Sequence, residues 1–224
     1  VVGLGSDIIL SSIDASQLYQ MAPVEGNDSL MHVLEQVPGV KHAQRFSSKP
    51  GMIMTADNFQ GMVLKGVGQE YDLKYLAEHL VEGTLPAFTD SVASNQTLIS
   101  RSIADKLGVK VGDKLYTYFI EDGVRARRLT VSGIYQTNLS NYDDYFLVTD
   151  IYTLGRLNNW KSDQVSGLEL EVTDYNQLEA VTDRVRALIN DRTDAYGSTY
   201  CARSVEEVYP QIFAWLNLLD TNVW

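Results

Sequence analysis

Cysteine, long apolar runs, positive charge and paired histidines are what this sequence is short of. Its 224 residues include one cysteine, Cys201, so an intrachain disulfide and any Cys-rich metal framework are excluded; the residue reads as a small core side chain. No uninterrupted apolar run approaches the roughly 18 to 20 residues that span a bilayer, and no basic segment leading into an apolar one opens the chain. The sequence as it stands reads as soluble. With 18 Lys and Arg against 29 Asp and Glu, the formal charge is -11 and the pI about 4.6. That balance repels nucleic-acid phosphates and anionic headgroups, and excludes a nucleic-acid function. The three histidines, His32, His42 and His79, form no i, i+4 pair of the kind that binds zinc. His32 and Glu35, one turn apart, read as a solvated helix surface, and no metal site is expected.

What is present suits an ordinary globular chain: 45% hydrophobic and 21% charged residues, enough for one core or two. The β-rich run at 6–13 predicts a strand. Leu30, Val33, Leu34 and Val37 fall at helical spacing behind Asp28 as N-cap, with Pro38-Gly39 as the stop. Strand material resumes at Val40 and runs to about Val67, with turns expected at Lys49-Pro50-Gly51 and Asp57-Asn58. The same order returns late. Gly167 to Val172 alternates with period two, Asp174 and Gln177 form a capping-box pattern ahead of Leu178, Val181, Val185, Leu188 and Ile189, and 198–203 reads as a further strand. Ser204 with Glu207 opens a last amphipathic helix through Val208, Ile212, Trp215 and Leu219.

Between these two strand-helix-strand units lies a stretch of different character, with a short helix over 100–107 ended by Gly108. Strands at 114–120 and 124–136 follow, joined across Glu121-Asp122-Gly123, whose Asp-Gly is a hairpin signal; then come a strand at 145–148 and a helix toward Asn158. The pattern gives an α+β fold: a discontinuous subdomain over 1–83 and 162–224, and a strand-rich insert over 84–161.

Motifs that carry chemistry are incomplete. Gly108-Val109-Lys110-Val111-Gly112-Asp113-Lys114 is too short between glycines for a nucleotide phosphate loop and puts Asp113 where a lysine is needed. Gly3-Leu4-Gly5 and Gly66-Val67-Gly68 lack the third glycine of a dinucleotide fingerprint. Asp143 and Asp144 are consecutive, which in a strand sends them to opposite faces, and they read as a turn entering the next strand rather than as an acid-base pair. No catalytic residue and no cofactor is expected. The one cationic cluster is Arg125, Arg127 and Arg128, with Arg125 and Arg127 on one face of the hairpin strand and Arg128 on the other. It reads either as a charged edge that discourages aggregation or, together with Glu121 and Asp122, as a hairpin that contacts a partner.

Ile99-Ser100-Arg101-Ser102-Ile103-Ala104-Asp105-Lys106-Leu107-Gly108-Val109-Lys110-Val111-Gly112-Asp113 resembles a pattern in the periplasmic domains of lipoprotein-releasing and macrolide-exporter ABC permeases, with Ser100 in place of the first glycine. Met62 to Val67, Leu129 to Tyr135 and Val165 to Leu170 resemble further strands of that family in the same order. The resemblance implies that the discontinuous subdomain is the one called Porter and the insert the one called Sabre. It also implies an extracytoplasmic, non-catalytic domain of an inner-membrane protein that transmits motion driven by a separate cytoplasmic ATPase. The implied partners are that ATPase, a second permease subunit, identical or different, and a periplasmic carrier or outer-membrane component. A regulatory ectodomain that controls envelope hydrolases, as in cell-division relatives, is the alternative. Members that dock a periplasmic chaperone carry a long Pro-containing hook where this chain has the short Phe119 to Arg125 turn; either a partner subunit carries the hook or the cargo is not a lipoprotein. The start at Val1 and the apolar stripe toward Trp224 lead us to expect transmembrane helices on both sides of this sequence.

Overall fold

The computed structural model describes residues 6–14 and 21–210. In chain order the strands are β1 (Ile8–Ser12), β2 (Val24–Glu25), β3 (Val40–Met54), β4 (Phe59–Val67), β5 (Leu80–Gly83), β6 (Gln96–Ser100), β7 (Lys114–Glu121), β8 (Gly123–Tyr135), β9 (Phe146–Asp150), β10 (Gln164–Val165), β11 (Gly167–Val172) and β12 (Tyr200–Ser204). The helices are α1 (Asp28–Glu35), α2 (Lys74–Glu78), α3 (Arg101–Leu107), α4 (Ser140–Asp143), α5 (Ile151–Asn158), α6 (Leu178–Ile189) and α7 (Val205–Val208).

The two strand-helix-strand units interleave. Strand order β12-β1-β11-β3, all neighbours antiparallel, places the first strand of each unit beside the other, and α1 and α6 follow their strands as crossovers, the split βαβ arrangement. The sheet does not stop there. It continues through β4, β9, β6, β8 and β5, with β7 joined to β3 and β8, to make ten strands in all. β3, 15 residues long, runs through both halves, and no turn breaks it at Lys49-Pro50-Gly51. Pro50 lies in the gap between two partners of β3: β11 ends its ladder at Gly167 opposite Phe46, and β7 begins at Tyr118 opposite Met52. A missing N–H removes no bond on a side where no ladder exists.

Three apolar cores follow from the alternation of side chains across this sheet. On one face, Ala43, Leu168, Leu170, Ile8 and Leu10 pack under α1 and α6 through Leu34, Val181 and Val185. On the same face at the other end, Ile53, Leu64, Ile99 and Phe119 pack under α3 and α5 through Ile103, Leu154 and Leu157. The opposite face carries a smaller core in which Val67, Leu98, Tyr135 and Val148 meet Leu76 and Phe88 from the segment after β4. Gly66 is needed for the second core: a Cβ there would lie 2.7 Å from the Leu154 side chain and 2.9 Å from the Ile151 backbone, so α5 could not seat against β4.

Local chemistry explains the helix ends. Ser100 caps α3 by accepting from the Ile103 N–H, and Gly108 closes it at φ 67°, a region that favours glycine. Asp150 caps α5 in the same way through Thr153. The N-cap of α1 is Asn27, which accepts from the Leu30 N–H, and not Asp28, the first helical residue. Asp174 caps a short 3-10 turn over Tyr175–Gln177 and α6 starts behind it, so the expected capping box is displaced by one turn. Ser204 accepts from the Glu207 N–H as expected; Ile212, Trp215 and Leu219 lie outside the described residues, as does Gly3-Leu4-Gly5. Cys201 is half-buried on β12, not a core residue.

Candidate functional site

The hairpin singled out by the sequence is made by β7 and β8, paired in unbroken register from Lys114–Thr130 to Glu121–Gly123. Asp122 alone forms the tip and is exposed, and Gly123 supplies the positive φ of 123°. The Glu121 side chain lies outside what the structure describes. Arg125 and Arg127 share the inner face with Leu129, and Arg128 points outward opposite Tyr116, as period-two alternation requires.

These arginines are not equivalent. The Arg125 guanidinium donates to the Leu157 carbonyl at 2.8 Å and to that of Arg156 at 3.4 Å, both in the last turn of α5, where a cation is favoured by the helix dipole. Arg125 therefore ties the hairpin to the second core. Arg127 donates to the Ala126 carbonyl at 2.8 Å; its burial, with Arg125 and Arg156 close by, lowers the pKa of its guanidinium. Arg128 is exposed.

The other sequence motifs resolve into structure. The Gly112-Asp113 pair is a turn into β7: Asp113 Oδ2 accepts from the Lys110 N–H at 3.0 Å, and the backbone of both residues bonds to Val131. Asp143 is buried and accepts from the N–H groups of Thr137 at 3.0 Å and Asn138 at 3.1 Å, and from the Thr137 hydroxyl. Asp144 instead accepts from the Ser102 hydroxyl at 2.9 Å and lies 3.8 Å from Lys106. The two carboxylates serve different neighbours. Glu35 faces His42 at 3.6 Å rather than His32. Among the described residues no group of three or more His, Cys, Asp or Glu could hold a metal ion, and no helix is long and apolar enough to cross a membrane.

What sequence reasoning missed is a polar seam between the cores. On the face of β3 that carries Ala43 at one end and Ile53 at the other, the middle positions are Arg45, Ser47 and Lys49. Arg45 donates to Glu70 at 2.8 Å and lies 3.3 Å from Asp28 and 3.6 Å from Asp90, gathering carboxylates from three segments. Burial raises the Glu70 pKa, and the Arg45 bond and charge outweigh it, leaving the carboxyl below its ordinary value. Ser47 accepts from the Ser166 N–H at 3.3 Å, and Lys49 donates to Asn158 at 2.9 Å.

On the opposite face Lys65 of β4 reaches across β3 to Glu169 of β11, 2.6 Å away. Glu169 also accepts from the Tyr71 hydroxyl at 2.6 Å and from Gln44 at 3.2 Å, and the ammonium lies 5.1 Å and 5.3 Å from the Tyr71 and Phe46 ring centres. Burial, then the Glu169 charge, holds the Tyr71 hydroxyl protonated well above its ordinary range, which keeps it a donor. A buried ion pair adds little net stability over an apolar pair of similar volume, whereas removing one partner leaves an uncompensated buried charge. Lys65 is the one charge in β4, whereas Glu169 alternates with Glu171 along β11 and reads as half of a solvated face, so only the lysine carried a sequence signal.

The fold and these positions can be compared with known proteins. No curated protein matches the sequence. The extracellular domain of the noncanonic ABC-type transporter YknZ from Gram-positive bacteria shares the fold at a TM-score of 0.57 and 16% identity, over 88% of this chain and 99% of that one. The periplasmic region of MacB from Actinobacillus actinomycetemcomitans does so at 0.57 and 12% identity, over 94% of each chain. Residues 1–188 match the MacB-like periplasmic core domain, and with that match over most of its length the chain belongs to this family of ABC-transporter permease domains.

Proposed function

We propose that the chain is the extracytoplasmic part of a permease subunit that couples ATP hydrolysis by a separate cytoplasmic ATPase to export or release of an envelope cargo. The domain acts as a mechanical transmitter, without catalysis of its own. The observation that carries this reading is β3, one strand shared by two apolar cores and clamped at its middle by Arg45, Ser47 and Lys49. Such a strand moves as a rod, so a displacement of the first core is delivered to the second. We assign the first core with its four interleaved strands as the Porter-like unit and the insert as the Sabre-like unit. In this assignment the junction is drawn on β3, and β4 and the segment through Gly83 go with the insert; the polar positions Arg45, Ser47 and Lys49 between the two cores support that choice. The β7–β8 hairpin, from Glu121 to Arg128, is the element offered to a partner.

The test uses the whole transporter, permeases plus ATPase, in lipid nanodiscs. A spin label at exposed Val92 (Val92→Cys with Cys201→Ser), paired with the same label on an identical second subunit or with one on the extracytoplasmic domain of a different one, reports the distance between the two permease subunits without knowledge of the cargo. Coupling predicts that the distance distribution shifts between nucleotide-free and vanadate-trapped states. An unchanged distribution, with vanadate trapping verified, overturns the transmitter role. Loss of envelope-hydrolase control with transport intact in an Arg45→Ala transporter would instead support a regulatory ectodomain.

A further inference from the structure

The outer side of the hairpin sheet is apolar where a solvated antiparallel face is normally polar. The strands concerned are the end of β3, the start of β4, β7 and the start of β8. On their inner side Ile53, Thr117, Phe119 and Leu129 are fully buried, and Arg125 and Arg127 are partly so. The register places Met54 beside both Phe59 and Tyr116, Met52 beside Tyr118, and Ile120 beside Val124, and paired residues project from the same face. Phe59, Ile120 and Val124 are 73%, 75% and 71% exposed, and Met52, Met54 and Tyr116 are exposed as well. The charged strand residues on this face are Lys114 and Arg128, both cationic, in a chain of net charge -11.

We propose that this face is a docking surface for a partner protein that lays an extended segment of apolar side chains interspersed with carboxylates across it. Charge selects the occupant. A second copy meeting the face through a two-fold axis would set Lys114 and Arg128 against themselves and bring two strongly acidic chains together, and an anionic bilayer is repelled by the same net charge. A short segment whose carboxylates meet Lys114 and Arg128 pairs with these two cations at contact range, where the net charge, spread over the whole surface and screened beyond about 8 to 10 Å, counts less than it does against a whole acidic chain or a bilayer. Size sets the type of contact: four strands about 4.8 Å apart and three side-chain rows about 6.8 Å apart give on the order of 400 Å². That is about half of what one side of a stable complex buries, but it falls within the range of functional patches. The contact is weak alone and belongs to a partner held nearby, as in an assembled transporter. β8 from Gly123 to Leu129 also has β7 on one side only, since its pairing with β6 starts at Thr130, so an added strand has an edge to join.

This surface rests on the partner-contact reading of the hairpin and not on the transmitter mechanism. The probes are two synthetic twelve-residue peptides, one alternating valine with glutamate and one alternating valine with lysine, titrated into the isotope-labelled chain and followed by amide NMR. The glutamate peptide is expected to shift signals at Met52, Met54, Phe59, Tyr116, Ile120 and Val124, and the lysine peptide to bind at least about tenfold more weakly. Phe59→Ser/Ile120→Ser/Val124→Ser should weaken glutamate-peptide binding by at least about tenfold. Lys114→Glu/Arg128→Glu should invert the preference between peptides. The proposal is overturned by equal binding of both peptides, by shifts confined to another surface, or by no binding. Self-association abolished by Ile120→Ser, or binding to anionic vesicles through this face, overturns it in favour of a second copy or a membrane. None of these failures would touch the distance change predicted for the transmitter role.

Discussion

Removing one partner of the buried Lys65–Glu169 pair tests the junction most directly. The two side chains are 10% and 3% exposed and 2.6 Å apart. In Glu169→Leu the side-chain volume is nearly kept, but the Lys65 ammonium stays buried without its carboxylate, with the Phe46 and Tyr71 rings near it. Two ring contacts return about 1 kcal/mol each, whereas an uncompensated buried charge costs about 3 to 5 kcal/mol. The Tyr71 hydroxyl and the Gln44 amide also lose an acceptor, so a net loss of about 3 kcal/mol is expected. For a domain of this size that lowers Tm by about 6 to 12 °C. Lys65→Met/Glu169→Leu removes the charge as well and should recover about 2 kcal/mol of the loss, with Tyr71→Phe recovering part of the remainder. Urea unfolding followed by tryptophan fluorescence measures all four proteins. The reasoning fails if Glu169→Leu costs less than about 1 kcal/mol, as an exposed pair would, or if the double variant is less stable than the single.

Ser100→Ala removes both the cap on Ile103 and the hydroxyl bond to the Asp143 carbonyl, and should cost about 1 to 3 kcal/mol in the same unfolding assay; Ser100→Gly should cost less, because glycine is itself tolerated at an N-cap. Gly66→Ala should destabilise by about 1 to 3 kcal/mol, since its Cβ meets Leu154 and the Ile151 backbone, and Leu154→Ala in the same chain should relieve part of that loss. Asp7 is buried with Oδ1 unpartnered among the described residues, and burial, only partly offset by the Val172 N–H and Lys41, raises its pKa. The folded state therefore holds the Asp7 proton more tightly than the unfolded chain, a contribution present below the unfolded value of about 3.9 and lost as pH rises through the raised folded value. Relative to wild type, Asp7→Asn should gain stability from pH 4 to pH 7, and a flat difference in urea midpoints would contradict the shift. Purified chain should hydrolyse no ATP above a buffer control in a phosphate-release assay, and measurable turnover would contradict a purely mechanical role.

Element type was legible wherever the period was strong and a capping residue marked the end. α3, α5 and α6 show their stripes and stops in the sequence, and the β7–β8 hairpin is written in Asp122-Gly123. The errors arose where a local signal met a nonlocal neighbour. Pro50-Gly51 reads as a turn from propensity alone, yet Pro50 sits where β3 has no partner on one side, and a Cβ on Gly51 would lie 2.6 Å from the Phe119 ring. Both residues answer to strands far away in sequence.

The candidate site divides along the same line. The arginines of β8 were found because three cations fall within four residues of an acidic chain, but their separate tasks were not, because the helix end that holds Arg125 is 32 residues away. Lys65 and Glu169 are 104 residues apart, and each alone is an ordinary charge. What makes them a pair is that the strand between them, β3, offers Gln44 and Phe46 on the same face. The seam residues of β3 follow one rule, apolar at Ala43 and Ile53 and polar at Arg45, Ser47 and Lys49, which divides a strand that belongs to two cores. A long strand that turns polar at its middle on a face apolar at both ends marks a junction between cores better than a shift in composition does, because alternation records which residues must find polar partners once the sheet is covered.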